Sequence, residues 1–252
     1  MSGNDSIYTP FADPNTGARF LTTHWSMVIR ASHDDSAIAR QALGELCRNY
    51  WYPLYAFVRR QGYSPADAED LTQSFLTKLL EMKYLADVRQ EKGKFRSFLL
   101  MAIKHFMGHE YERQHAQKRG GFQAVVSIDQ DAAESRLCLE ADRHLEPDVY
   151  FERQWAVALL ERVMTKLREE YLATGRAKLF ENLRDSLVKD ESAQPYAELA
   201  AQLKLTEPAV KMAVSRLRAR YREILREEIA ETVETPGEIE DEIRYLFALF
   251  SS

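Results

Sequence analysis

Two helical registers meet at a tight break between residues 196 and 226. Leu199, Leu203 and Leu205 precede the break, and Val210, Val214, Leu217, Tyr221 and Ile224 follow it in alternating steps of four and three. That spacing turns one side of each segment toward a shared core. It predicts a short helix over 196–204, a turn at Leu205 and Thr206, and a long helix over 207–229. Small Ala200 and Ala201 let the two helices cross closely, Thr206 caps the second, and Pro208 is tolerated in its first turn. The unit has the form of a helix-turn-helix. Similar periods recur through most of the chain, no segment shows convincing strand alternation, and there is no internal repeat, so the expected class is all-α.

The remaining elements follow the same logic. Thr22 or Thr23 caps a short helix over 24–31, after a Gly-, Pro- and Asn-rich leader. Leu43, Leu46, Cys47, Tyr50 and Leu54 mark a helix that Pro53 should kink or split and that Gly62 ends. Ser64 caps the next helix, which runs to about residue 84 with Pro65 at its first position and Asp67 three residues after the cap. A polar loop over 87–94 leads into a helix over 95–114, and Gly120 with Gly121 closes the module. Trp155, Leu159, Val163 and Leu167, four apart, define a helix beginning near Tyr150; Gly175 breaks it, and a shorter helix follows over 178–187. The resulting division is a leader (1–20), a first helical module (21–120), a linker (121–149), a second helical module (150–232) and an acidic amphipathic tail (233–252).

Charge is distributed in blocks. The net charge of -5 alone argues against a polyanionic partner, yet residues 38–120 hold 14 Lys and Arg against 9 Asp and Glu, and residues 204–226 hold 7 against 2. Residues 129–153 carry 8 acids and 3 arginines, and the chain from Glu227 onward carries 8 acids and one arginine. Two basic islands separated and followed by acidic segments suggest two polyanion-facing modules. No run approaches 18 apolar residues and no signal-like start is present, so neither a membrane span nor secretion is expected. The two cysteines, Cys47 and Cys138, fit packing roles in a reducing cytoplasm.

Within the second island, Lys211, Met212, Ser215 and Arg216 lie off the apolar stripe near the end of the helix that enters a major groove in such motifs, with Arg218, Arg220 and Arg222 nearer phosphate height. Five basic residues in twelve favour an anion over a merely solvated face. In the first island, Lys94, Arg96, Lys104, His105, His109, Arg113, Lys118 and Arg119 interleave with Phe95, Phe98, Phe106 and Tyr111. Cations hold phosphates and aromatic faces stack unpaired bases, although Phe98 and Phe106 individually fit a core role better. His105 and His109 sit one turn apart, but two ligands do not make a zinc site, and neither a nucleophile motif nor a phosphate-cradling glycine loop occurs. No cofactor, metal or catalytic residue is therefore expected.

The acids at the start of the helix after Ser64 have an ordinary explanation in capping and the macrodipole. The run DAEDLTQ ending at Gln73, followed by an apolar helix, the segment KGKFRSFLL and a basic helix, nonetheless resembles region 2 of the extracytoplasmic-function sigma factors of the sigma-70 family. YAELAAQLKL, the turn, AVK and SRLRARYRE are similar to region 4 of the same family, with Ala213 where an arginine is usual. Together the two stretches cover about 38–120 and 150–230, in the family's order and with no region 3 between them. The resemblance implies a non-enzymatic, cytoplasmic sigma factor that directs bacterial core RNA polymerase to promoter DNA. Asp67, Glu69, Asp70 and Gln73 would face the coiled coil of the polymerase beta-prime subunit. The 87–94 loop would hold a flipped −10 base, Arg96, Lys104, His105 and Arg113 would line the melted strand, and Lys211, Ser215, Arg216 and Arg218 would contact the −35 element. An anti-sigma factor or other regulator is a further implied partner. The alternative is a stand-alone helix-turn-helix regulator, which leaves the DAEDLTQ helix without a purpose.

The tail offers its own signal. Ile239, Ile243, Leu246, Phe247 and Phe250 form one apolar stripe, with Glu240, Asp241, Glu242 and Arg244 off it, after a joint at Thr235-Pro236-Gly237. Such a helix is expected to fold back on either module, as an inhibitor or as a structural cap.

Overall fold

The computed structural model describes residues 37–80, 94–116, 133–134, 137, 145–187, 196–233 and 235–251. The expected helix over 24–31, the 87–93 part of the loop and most of the expected linker lie outside them. Among the described residues there are eight α-helices and no strand: α1 (Ala37–Arg60), α2 (Pro65–Leu80), α3 (Phe95–Ala116), α4 (Pro147–Ala173), α5 (Ala177–Leu183), α6 (Tyr196–Leu203), α7 (Glu207–Ala230) and α8 (Ile239–Ala248). None is long and apolar enough to cross a membrane.

Of the two expected effects of Pro53, the split does not occur; the helix runs through it. The buried residues on both sides of the proline, Tyr50, Leu54, Phe57 and Val58, hold the two halves in one register against the core, and packing outweighs the lost hydrogen bond. Gln61 and Gly62, the latter with φ +94, then close the helix by accepting the left-handed turn that glycine adopts freely. Ser64 starts α2 as expected: its Oγ accepts from the Asp67 amide at 3.2 Å and donates to the Asp67 carboxylate at 2.6 Å.

α1 is the hub. It packs on α2 and, more extensively, on α4, while α4 also packs on α5 and α7. Phe57 meets Phe151 edge-on at 6.3 Å between centroids, and the Arg60 guanidinium sits 3.9 Å over the Tyr150 ring. The Phe95 amide donates to the Thr232 carbonyl at 3.1 Å, joining the start of α3 to the end of α7. Residues of α1 through α8 therefore share one contiguous hydrophobic cluster. Cys47 lies inside it, and burial pushes its thiol up to about 12, which makes it an inert packing residue.

Candidate nucleic-acid interface

α6 and α7 form the expected helix-turn-helix. The turn is made without glycine: Lys204 takes a left-handed conformation, φ +53, and the Leu205 amide reaches back to the Ala200 carbonyl at 2.9 Å. Thr206 caps α7, its hydroxyl accepting from the Ala209 amide at 3.4 Å. Val210, Val214 and Leu217 are buried, and they fix which side of α7 faces outward. Lys211, Met212, Ser215, Arg216 and Arg222 are exposed on that side, Met212 by 54%. The Lys211 ammonium lies 5.6 Å from the centre of the Tyr196 ring, which connects the two helices across the turn.

The other three arginines of α7 are turned to structural work, Arg226 by donating to Glu240 at 2.8 Å. Arg218 is half-buried and donates through Nε at 3.1 Å and Nη2 at 2.8 Å to the Ser186 carbonyl, tying α7 to the 3-10 turn Arg184–Leu187. Arg220 binds Glu170 of α4 through two nitrogens at 2.9 and 2.6 Å and also reaches Glu223 and Glu227. The bonds to Glu170 raise the Arg220 guanidinium above its ordinary value and hold the Glu170 carboxyl below the usual carboxylate range. The basic face offered outward is thus narrower than five residues in twelve.

On α2, Ala68, Leu71, Thr72, Phe75, Leu76 and Leu79 are buried, while Asp67 and Asp70 are exposed and Glu69 and Gln73 are partly so. The Gln73 amide donates to the Glu69 carboxylate at 3.0 Å. These four residues form an acidic and polar strip on one helix, preorganised by the Ser64 cap and by that internal bond.

α3 departs from expectation at Arg96, while Phe98 and Phe106 take the core role expected of them. Phe95, Phe98 and Phe106 are core residues rather than a stacking surface: Phe95 meets Tyr50 edge-on at 5.0 Å and Phe106 packs on Phe75 at 5.6 Å. His105 is exposed, and Lys104 is paired with Asp148 at 2.5 Å. The side chain of Arg113 lies outside the described residues. Arg96 is 4% exposed. Its Nε donates to Glu242 at 2.6 Å and its Nη2 to the same carboxylate at 3.3 Å, its Nη1 donates to Glu152, and its guanidinium lies 4.3 Å from the Tyr245 ring and 5.0 Å from that of Trp155. Burial opposes this charge, the Glu242 bonds outweigh it, and the guanidinium stays above its ordinary value. In this arrangement Arg96 presents nothing to a nucleic acid.

Glu242 itself corrects the expectation that it lies off the buried side of the tail. It is buried, with Arg96 and Lys94 as its partners. The acidic segments reach the first basic island elsewhere as well: Glu134 accepts from Arg59 at 2.7 and 2.9 Å and from the Tyr55 hydroxyl. No family model matches the chain, and neither a curated protein nor a solved structure matches it.

Proposed function

We propose that this chain is a dissociable promoter-specificity subunit of bacterial RNA polymerase, acting as extracytoplasmic-function sigma factors do. The first module binds core polymerase and works at the −10 region, the second reads the −35 duplex, and the chain catalyses nothing itself. The carrying observation is the exposed row Lys211, Ser215 and Arg216 on the N-terminal half of α7, directly after the tight turn from α6. That half of a recognition helix is the part that reaches base edges in a major groove. The acidic strip on α2 supplies a separate surface for a basic or polar protein partner.

In vitro transcription with core polymerase on genomic fragments tests the assignment, which requires starts that depend on this chain. Lys211→Ala and Arg216→Ala should each cost about 1–3 kcal/mol in binding promoter duplex by the assembled enzyme if they touch base edges, Arg216 with greater sequence dependence. Equal losses on every sequence would reduce both to phosphate contacts. Asp67→Arg combined with Gln73→Ala should weaken capture of core polymerase by about tenfold, or ~1.4 kcal/mol, with helix content unchanged. Unaltered capture would remove α2 from the polymerase interface. The free chain should bind promoter poorly, since its net charge is negative and acids from α4 and the tail pair with its cations. Tight promoter binding by the free protein at physiological salt would instead mark a stand-alone regulator.

A further inference from the structure

We infer that α8 is an intramolecular latch whose Glu242 holds the basic start of α3 closed. The contact joins residues 146 positions apart in sequence. Glu242 receives a two-nitrogen bond from Arg96 and an ion pair from Lys94, the Tyr245 ring covers the same guanidinium, and the Tyr245 hydroxyl donates to Glu152. One carboxylate and one aromatic ring of α8 thus occupy the cations that open α3, and the hydroxyl on that ring holds Glu152, the second acid on Arg96.

The rest of α8 rests on the core through Ile243 and on α7, where Arg226 donates to Glu240 at 2.8 Å. Ile239 and Leu246 are buried, but Phe247 and Phe250 of the same stripe remain 50% and 38% exposed. The 3-10 turn Pro236–Glu238 that precedes α8, just after the end of α7, is capped at Thr235, whose amide donates to the Glu238 carboxylate at 3.0 Å. A ten-residue helix that leaves part of its apolar stripe exposed and is pinned by a charge cluster undocks as a unit when the cluster is weakened. Glu242 in its first turn supplies the negative charge that a nucleic-acid backbone would otherwise bring to Lys94 and Arg96. A polyanion reaching α3 therefore competes directly with α8. This masking role rests on the proposal that α3 belongs to a nucleic-acid surface.

The full chain is compared as wild type, as Glu242→Gln, and as Glu242→Gln with Arg96→Gln. Hydrogen exchange reports the latch, and fluorescence anisotropy with a labelled single-stranded oligodeoxynucleotide of mixed sequence reports masking. Glu242→Gln should accelerate exchange over residues 239–248 and at the start of α3 while α2 and α4 stay protected. It should also tighten oligonucleotide binding by about tenfold, a typical coupling between linked sites, and Arg96→Gln in that background should abolish the gain. Tyr245→Phe, which removes only the hydroxyl donated to Glu152, should move both readouts the same way by a smaller factor. Exchange that is unchanged, or that rises evenly over the chain, would overturn the latch and make α8 a fixed cap. Local opening with no gain in oligonucleotide binding would overturn the masking role. Polymerase capture and −35 binding, measured on the same proteins, fail or survive separately and so distinguish an error here from an error in the proposed function.

Discussion

Trp155→Ala should lower the unfolding free energy by about 3–5 kcal/mol, the usual cost of emptying a buried aromatic site. Trp155 is 1% exposed and belongs to the cluster that joins α1, α4 and α7. Its ring also lies 5.0 Å from the Arg96 guanidinium, so the substitution removes an apolar wall and one face of a buried cation's enclosure together. Neighbouring Tyr50, Phe151 and Leu159 are themselves fully buried and leave the site little freedom to collapse. Against a total stability of about 5–15 kcal/mol for a typical domain, the loss is large enough to read from a urea midpoint followed by circular dichroism. Met212→Ala, on the exposed side of α7, should stay within about 0.5 kcal/mol and serves as the control. A loss below about 1 kcal/mol at Trp155 would contradict the rigid, shared core described above.

The helix-turn-helix was legible because its information is local. The apolar steps Val210, Val214, Leu217 and the Thr206 cap fix α7 within a residue of its expected ends, and Leu199 does the same for α6. Lys204 carried no such mark, since left-handed turns are ordinarily signalled by glycine. α3 held a signal of the opposite kind. Phe95, Phe98, Leu99, Ala102, Ile103 and Phe106 recur at the spacing of a buried helical face, and all six are buried. Phe98 and Phe106 were therefore already legible as core residues among the interleaved cations. Pro53 does not split its helix because a core packed on both sides of it outweighs one missing hydrogen bond. Glu242 was beyond local inference altogether. An acid among Glu240 and Asp241 looks solvated, and its burial becomes favourable only when Lys94 and Arg96 arrive from the far end of the chain.

Arg96→Ala separates the folded arrangement from the expectation that Arg96 lines a melted strand. An exposed arginine waiting for DNA would be lost at little cost to stability, within about 0.5 kcal/mol. Arg96 instead compensates Glu242, which is buried, and Glu152, whose carboxyl burial already lifts above its ordinary value. Removing one partner of a buried ion pair leaves the other uncompensated and typically costs about 3–5 kcal/mol. Lys94 still reaches Glu242, which places the expected loss near the low end of that range, and release of α8 sets a ceiling on it. The decisive comparison is a double-mutant cycle. Arg96→Met retains much of the stem packing while removing the charge, so it should be nearly as harmful as alanine. Arg96→Met with Glu242→Leu removes both charges from the same buried site and should recover most of the loss, because an apolar pair of similar volume often matches a buried ion pair. Denaturant titration of the four proteins gives the coupling energy directly. Additive losses, with no recovery in the double variant, would mean that Arg96 stabilises the chain through α4 and Glu152 alone and that the contact with α8 is incidental.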